Sequence, residues 1–193
     1  MTRRRVSGRT RIFTGRVFRV ERDLVRLPNG RVVPMEIVRH RGSVVLLAQP
    51  ARGRVILIRQ FRYVIGQWIW ELPAGSLEPG ETPAKGARRE CVEETGWRPG
   101  RVRRLGAYYP SPGFCDELMY FYACTDLARP RRQAQRDPDE ELEPRVFTLR
   151  EAWRLVERGE IIDMKTVTGL ILARARRPAP KTVGSRRNGG AGL

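Results

Sequence analysis

The segment Gly75-Ser-Leu-Glu-Pro-Gly-Glu81-Thr-Pro-Ala-Lys-Gly-Ala-Arg-Arg89-Glu90-Cys-Val-Glu93-Glu94-Thr-Gly96-Trp97 constrains this chain more than any other. It sets one short helix between a Gly-Pro loop and a glycine stop and loads that helix with acid. Thr82 is a candidate N-cap, Pro83 suits the first helical position, and Gly96 ends the run. The roughly thirteen residues between them span about 20 Å at 1.5 Å per residue. Ala84, Ala87 and Cys91 recur at helical spacing, a narrow stripe of small groups that can press against a sheet. Glu90, Glu93 and Glu94 stand at i, i+3 and i+4 on another face, where like charges repel by about 0.2–0.5 kcal/mol per pair, and Arg89 relieves only part of that.

Hard oxygen ligands gathered in this way suit Mg²⁺ or Mn²⁺, which keep several waters and accept substrate phosphate oxygens. The plain alternative is a solvated helix face, since glutamates usually mean no more. Against it stands the whole pattern: Gly, five residues, Glu, seven residues, Arg-Glu, two residues further Glu-Glu, one residue, Gly. Seven fixed positions at average residue usage meet by chance on the order of 10⁻⁸ per start point.

At these residues the sequence resembles the Nudix hydrolase family, whose signature has this spacing. Gly75, Glu81, Arg89, Glu90, Glu93, Glu94 and Gly96 match. Cys91 stands where a larger aliphatic is common and Trp97 where Ile, Leu or Val is common, and both remain apolar. The resemblance implies cleavage of a nucleoside diphosphate linked to another group. It also implies divalent metal held by Glu90 and Glu94, Glu93 close to the same ions, and Arg89 orienting the carboxylates. Such a site neutralises phosphoryl charge and lowers the pKa of the attacking water, whose proton a nearby carboxylate accepts. His40 is the single histidine, which removes His-metal clusters and Ser-His-Asp triads as competitors.

The flanking segments resemble the ADP-ribose pyrophosphatase branch of that family. They are Arg59-Gln-Phe-Arg62-Tyr, Trp68-Ile-Trp70-Glu71-Leu-Pro-Ala74-Gly75, Tyr109-Pro-Ser-Pro112-Gly-Phe-Cys-Asp-Glu117, Asp137-Pro-Asp139-Glu140-Glu141-Leu-Glu143 and Gly159-Glu-Ile-Ile-Asp163-Met-Lys165-Thr166. Pro112, fifteen residues after Trp97, falls where the branch carries a marker proline. The resemblance covers about Phe13 to Ala173. It implies the Ala74 carbonyl as a metal ligand beside Glu90 and Glu94, Arg62 on the diphosphate and Glu71 on the nucleotide side, with Arg59 and Pro112 as further substrate contacts. Glu140 would be a further metal ligand or the general base, with Asp139 and Glu141 as neighbours able to substitute.

Each flank also has a plain reading. Arginines on strands are often only solvated, and 35 of the 38 basic residues here are arginine. Trp68 and Trp70 alternate onto one side of a strand and read as core. Pro112-Gly113 marks a turn whatever the function, Ser111 reads as a turn residue, and the Asp-Pro-Asp run as an acidic surface loop.

Strand signals fill the first third: Val17–Val20, Leu24–Leu27 and Val32–Val38, with Pro28-Asn29-Gly30 as a hairpin turn. Ser43–Ala48 and Arg54–Gln60 read as buried strands split by the Pro50–Gly53 turn. After the acidic helix come strands at Gly106–Tyr109, Leu118–Cys124 and Arg145–Thr148, then helices at Arg150–Arg158 and Lys165–Arg176. These elements predict an α/β chain. With the resemblance they imply a Nudix-type α/β/α sandwich with a mixed sheet and an N-terminal antiparallel β extension. The expected division is residues 1–40 as that extension, 41–176 as the hydrolase domain and 177–193 as a disordered basic tail. The resemblance further implies a homodimer, the N-terminal strands of one subunit helping to form the other's pocket.

Three cysteines without metal spacing favour a reducing, cytoplasmic setting, and no apolar run approaches a membrane span. A net charge of +17 raises a second class, a nucleic-acid-binding protein built on the same fold. The spread of the arginines along the chain and the lack of an RNA-binding aromatic motif argue against that as the main role. Within the enzyme class, the alternative substrate is GDP-mannose or a broad range of nucleotide sugars.

Overall fold

The computed structural model describes residues 5–129 and 142–175. Three N-terminal strands, β1 (Arg5–Thr14), β2 (Phe18–Arg26) and β3 (Val32–His40), form an antiparallel sheet in that order. The Pro28-Asn29-Gly30 turn joins β2 to β3, with Gly30 at φ +84° and its N–H donating to the Leu27 carbonyl. The two short strands expected at Val17–Val20 and Leu24–Leu27 are one strand. The polar residues between them, Glu21 and Asp23, are buried because arginines on three strands meet them. Arg9 Nε lies 2.7 Å from Asp23, and Arg39 reaches both Asp23 (2.6 Å) and Glu21 (2.9 Å). These bonds hold both carboxyls below the usual carboxylate range, for Glu21 led by the bond from Arg19 and for Asp23 by the bond from Arg9. Strand β1 itself carries no hydrophobic alternation that would announce it.

The next elements are β4 (Ser43–Ala48), β5 (Arg54–Arg62), a 3₁₀ turn (Tyr63–Ile65), β6 (Gln67–Glu71), β7 (Ala74–Ser76), α1 (Pro83–Thr95), β8 (Arg98–Tyr108), β9 (Met119–Ala128), β10 (Leu142–Thr148), α2 (Leu149–Glu157) and α3 (Met164–Ala175). One sheet runs β7-β4-β9-β8, with β4 and β9 parallel and the other pairs antiparallel; a second runs β10-β5-β6. All six residues of β4 are buried, as its unbroken apolar run predicts for a strand covered on both faces. On one side Val44, Leu46 and Ile56 pack under Ala87 and Cys91 of α1. On the other, Val45, Leu47, Leu57 and Phe121 meet Leu155 of α2 and Leu170 of α3. The result is the expected α/β sandwich with a mixed sheet.

Strand β8 begins right after Gly96, well before the expected Gly106, because the exposed Arg98, Arg101, Arg103 and Arg104 mask its strand character. In α1 two local expectations need correction. Thr82 occupies the N-cap, but its side chain makes no capping bond. Ala84 is exposed and Gly86 takes its place in the buried stripe, since a Cβ there would lie 2.8 Å from Leu77. Gly96 ends the helix in left-handed conformation, φ 71°, as expected.

The loop after β8 is tied to the N-terminal sheet. Val38 donates to the Phe114 carbonyl (2.8 Å), Asp116 N–H to the Val38 carbonyl (3.0 Å), and the Asp116 carboxylate accepts from His40 N–H (2.8 Å) and Arg39 (3.1 Å). The Ser111 carbonyl closes its turn by accepting from Phe114 and Cys115.

Candidate active site

The acidic helix α1 packs against β4 and β7, and Arg89 organises the junction. Its guanidinium donates to Glu81 (3.1 and 2.9 Å), to Glu90 (2.6 Å), to Glu93 (2.8 Å) and to the Ser76 carbonyl of β7 (3.1 Å). Three carboxylates on one cation explain how so acidic a helix stays folded. The Arg89 pKa is raised, chiefly by the Glu81 bond, against the opposing effect of burial. Glu81 is correspondingly held low, first by its bond to Arg89. Glu94 points the other way and accepts from the Ala74 N–H (2.7 Å), fastening α1 to β7.

Glu90, Glu94 and the Ala74 backbone therefore converge at β7. The fit of a divalent cation there can be tested on Gly75: a Cβ at that position would sit 2.0 Å from Glu90 Oε1. Only a glycine lets the carboxylate press against the strand beside Ala74. The neighbouring side-chain donors are the carboxylate oxygens of Glu90 and Glu94, of the kind that hard divalent ions take. Among the described residues no three His, Cys, Asp or Glu side chains close on one point by themselves. The residues present fit a two-carboxylate site completed by backbone and substrate oxygens.

Beside this junction opens a cavity of about 550 Å³, whose lining includes Ala74, Gly75, Arg62, Glu71, Asp163 and Lys165. Arg62 at the end of β5 binds Glu71 at the end of β6 through two hydrogen bonds, one of 3.0 Å from Nε and a second from Nη2. Lys165 Nζ lies 3.1 Å from the same Glu71 carboxylate and 3.0 Å from Asp163. Burial works against the Arg62 charge but is outweighed by Glu71, with Glu94 and Asp163 adding to the rise. Glu117 also lines the cavity, accepting from the Ser43 hydroxyl (2.8 Å). His40 accepts from Gly42 N–H at Nδ1 (3.0 Å), a backbone-satisfied role.

Of the residues singled out in the sequence, Arg62, Glu71, Ala74, Arg89, Glu90, Glu93 and Glu94 gather at this cavity and its helix. Arg59 does not. Three residues before Arg62 on the strand, it stands over the Trp68 ring on the opposite face, 5.4 Å from the ring centroid. Trp70 packs edge-on against Phe147 at 4.9 Å, in the core. Pro112 lines a second cavity of about 790 Å³, between the N-terminal sheet and its own loop. Glu140, with its neighbours Asp139 and Glu141, lies outside the described residues, as does the 177–193 tail. Lys165 and Glu117 carried no role in the sequence reading. The signal for Lys165 was Asp163-Met-Lys165-Thr166 at a helix start, where an Asp cap fixes the following side chains.

Fold and site together define an α/β protein with a cluster of carboxylates on one helix and an arginine-lined cavity beside it. A model of the NUDIX domain matches residues 38–168, and the chain belongs to that family, the Nudix hydrolases. It is 39% identical over 159 residues to the ADP-ribose pyrophosphatase of Bacillus subtilis (strain 168), covering 82% of this chain and 86% of the relative. It is 35% identical over 148 residues to the GDP-mannose pyrophosphatase of Escherichia coli O139:H28, covering 68% of this chain and 76% of that one. A solved structure described as an ADP compounds hydrolase superimposes with a TM-score of 0.74 at 22% identity, covering 91% of this chain and 94% of that one. Nudix hydrolases use divalent metal, and the carboxylates beside Ala74 are of the type that use requires.

Proposed function

We propose that this chain hydrolyses the pyrophosphate bond of a nucleoside diphosphate sugar, converting ADP-ribose to AMP and ribose 5-phosphate. The observation that carries the reading is a single cavity lined by Arg62 and by Ala74–Gly75, with Glu90 and Glu94 gathered against the same strand. The naming of a relative at 39% identity as an ADP-ribose pyrophosphatase supports the substrate. The Ala74 carbonyl, Glu90 and Glu94 would hold Mg²⁺, with Mn²⁺ as a substitute. Such an ion neutralises phosphoryl charge and lowers the pKa of a bound water.

The chain's own groups supply the rest. Arg62 binds the diphosphate, and Glu71 lies towards the nucleotide. Arg89 keeps Glu90 and Glu93 oriented without spending either on solvent. Glu140 takes the proton from the attacking water or serves as a further metal ligand, and Glu93 of α1 is the base in its stead where it does not. Arg59 and Pro112 stand apart from this cavity, so their contact with substrate belongs to an assembly in which a second subunit reaches over. A homodimer of that kind is supported by the apolar side chains that β1–β3 expose, Ile12 and Phe13 at 52% and Phe18 and Leu24 at 43%. The separate N-terminal sheet supports reading residues 1–40 as an extension on a hydrolase domain of 41–176. Three free cysteines support a cytoplasmic setting, and no helix among the described residues is long and apolar enough to cross a membrane.

The test is incubation of the protein with ADP-ribose and Mg²⁺, with and without EDTA, resolving products by chromatography. AMP and ribose 5-phosphate formed only with metal are expected. Faster turnover of GDP-mannose would move the substrate to the second relative's class. Absence of turnover on every nucleotide sugar would overturn the reading.

A further inference from the structure

Glu71 is 2% exposed and meets two cations from different elements. Arg62 approaches from β5 with its side chain 39% exposed, while Lys165 approaches from α3 with its side chain 10% exposed. Lys165 is held in place on its other side. Asp163 accepts from its Nζ (3.0 Å), from Thr166 N–H (3.0 Å) and from the Thr166 hydroxyl (2.6 Å). The Thr166 oxygen in turn accepts from Leu72 N–H (2.8 Å), the residue next to Glu71. Lys165 is thus pinned between two carboxylates, whereas Arg62 is the partner with room to turn.

A phosphate that takes the Nε–Nη2 edge of Arg62 competes with Glu71, whose two bonds from this arginine leave that edge. If Arg62 were the sole partner, every binding event would strand an ionised carboxylate in a nearly dry site, a heavy cost. We propose that Lys165 is a positioning residue that keeps Glu71 paired while Arg62 is released to the substrate diphosphate. Lys165 touches no reacting atom in this arrangement. It sets how tightly a diphosphate can be held, through the carboxylate it shares with Arg62. The inference rests on the reading of Arg62 as the diphosphate contact.

The experiment compares wild type, Lys165→Met, Lys165→Arg, Glu71→Gln and the Glu71→Gln/Lys165→Met double variant. Binding of an ADP-ribose analogue with a methylene bridge between its phosphorus atoms is measured by calorimetry in EDTA. KM and kcat are measured with Mg²⁺, and folding is followed by thermal melting. Lys165→Met is expected to weaken analogue binding and raise KM about 30-fold while kcat stays within about threefold. Lys165→Arg keeps most of the affinity. In the Glu71→Gln background the same Lys165→Met change leaves analogue affinity unaltered, because Glu71 no longer carries a charge to strand and Asp163 keeps its two Thr166 bonds in either background. Should Lys165→Met alone fail to fold, the double variant, which removes both charges, is compared with Glu71→Gln; equal affinities support the proposal and a loss overturns it. An equal loss in both backgrounds would make Lys165 a direct ligand contact, and unchanged affinity in the wild-type background would remove its role; either sinks the inference while the activity reading stands. A wild type that neither binds the analogue nor turns over ADP-ribose would overturn both.

Discussion

Arg89 and Glu94 turn to different partners, the first to the surrounding carboxylates and the second to the Ala74 backbone. Arg89 satisfies Glu81, Glu90 and Glu93 at once, so its loss leaves three carboxylates facing one another. Arg89→Met is expected to cost about 3 kcal/mol at pH 7, read from denaturant unfolding. The pH dependence has a definite sign. Glu81 is held below its ordinary value of 4.5 chiefly by the Arg89 bond, so its contribution is complete above about pH 4.5 and disappears as acid protonates the folded carboxyl. The gap in stability between wild type and Arg89→Met should therefore be wide at pH 7 and narrow towards pH 3; a gap that widened in acid would refute the assignment. Glu94→Gln behaves in the opposite way. A glutamine oxygen still accepts from Ala74 N–H, so the melting temperature should move by no more than a few degrees. Turnover should fall at least about 100-fold because a ligand charge is gone. Near-wild-type kcat would remove Glu94 from the metal site. The Arg89–Glu93 contact was readable in the sequence because i and i+4 on one helix face one another. Lys165 against Glu71 was not readable, since nothing local says that α3 docks beside β6; the Leu72–Thr166 bond that fixes it joins residues 94 positions apart.

At the level of elements, the two N-terminal threonine caps make a controlled comparison. Thr148 at the start of α2 has a complete capping box: its hydroxyl accepts from Glu151 N–H (3.1 Å) and Glu151 accepts from Thr148 N–H (2.6 Å). Thr82 at the start of α1 has the extended backbone of a cap but no side-chain bond, and Pro83 follows it. Thr148→Ala should cost about 1 kcal/mol and Thr82→Ala a few tenths at most, measured by chemical denaturation. Equal losses would show that the Thr82 hydroxyl serves α1 after all. The same contrast explains why elements were legible to different degrees. β4 and α1 announced themselves by a continuous apolar run and by Pro and Gly punctuation. β1 and most of β8 are arginine-studded strands whose identity comes from what they pair with, β2 through Arg9–Asp23 and β9 through Val102–Cys124. A strand stabilised by ion pairs has no period-2 hydrophobic signal to read.

For the whole molecule the dominating quantity is a net charge of +17 on 193 residues. The described acids are largely committed: Glu21 and Asp23 to the N-terminal arginines, Glu81, Glu90 and Glu93 to Arg89, Glu71 to Arg62 and Lys165. Repulsion among the remaining arginines opposes the compact state and is screened over about 10 Å at 0.1 M salt. The buried pairs are screened far less, so salt removes the cost faster than it removes the benefit. Raising NaCl from about 0.02 to 0.5 M should therefore raise the melting temperature by a few degrees, where a protein held by exposed ion pairs would lose stability. The same charge predicts weak, sequence-independent attraction to nucleic acid that vanishes over that range and survives Glu94→Gln. Hydrolysis and nucleic-acid affinity then separate cleanly: one is lost with a single carboxylate at fixed salt, the other with salt at fixed sequence. An affinity that persisted at 0.5 M NaCl would mean a built nucleic-acid site rather than a charge effect, and would return the second class of function to consideration.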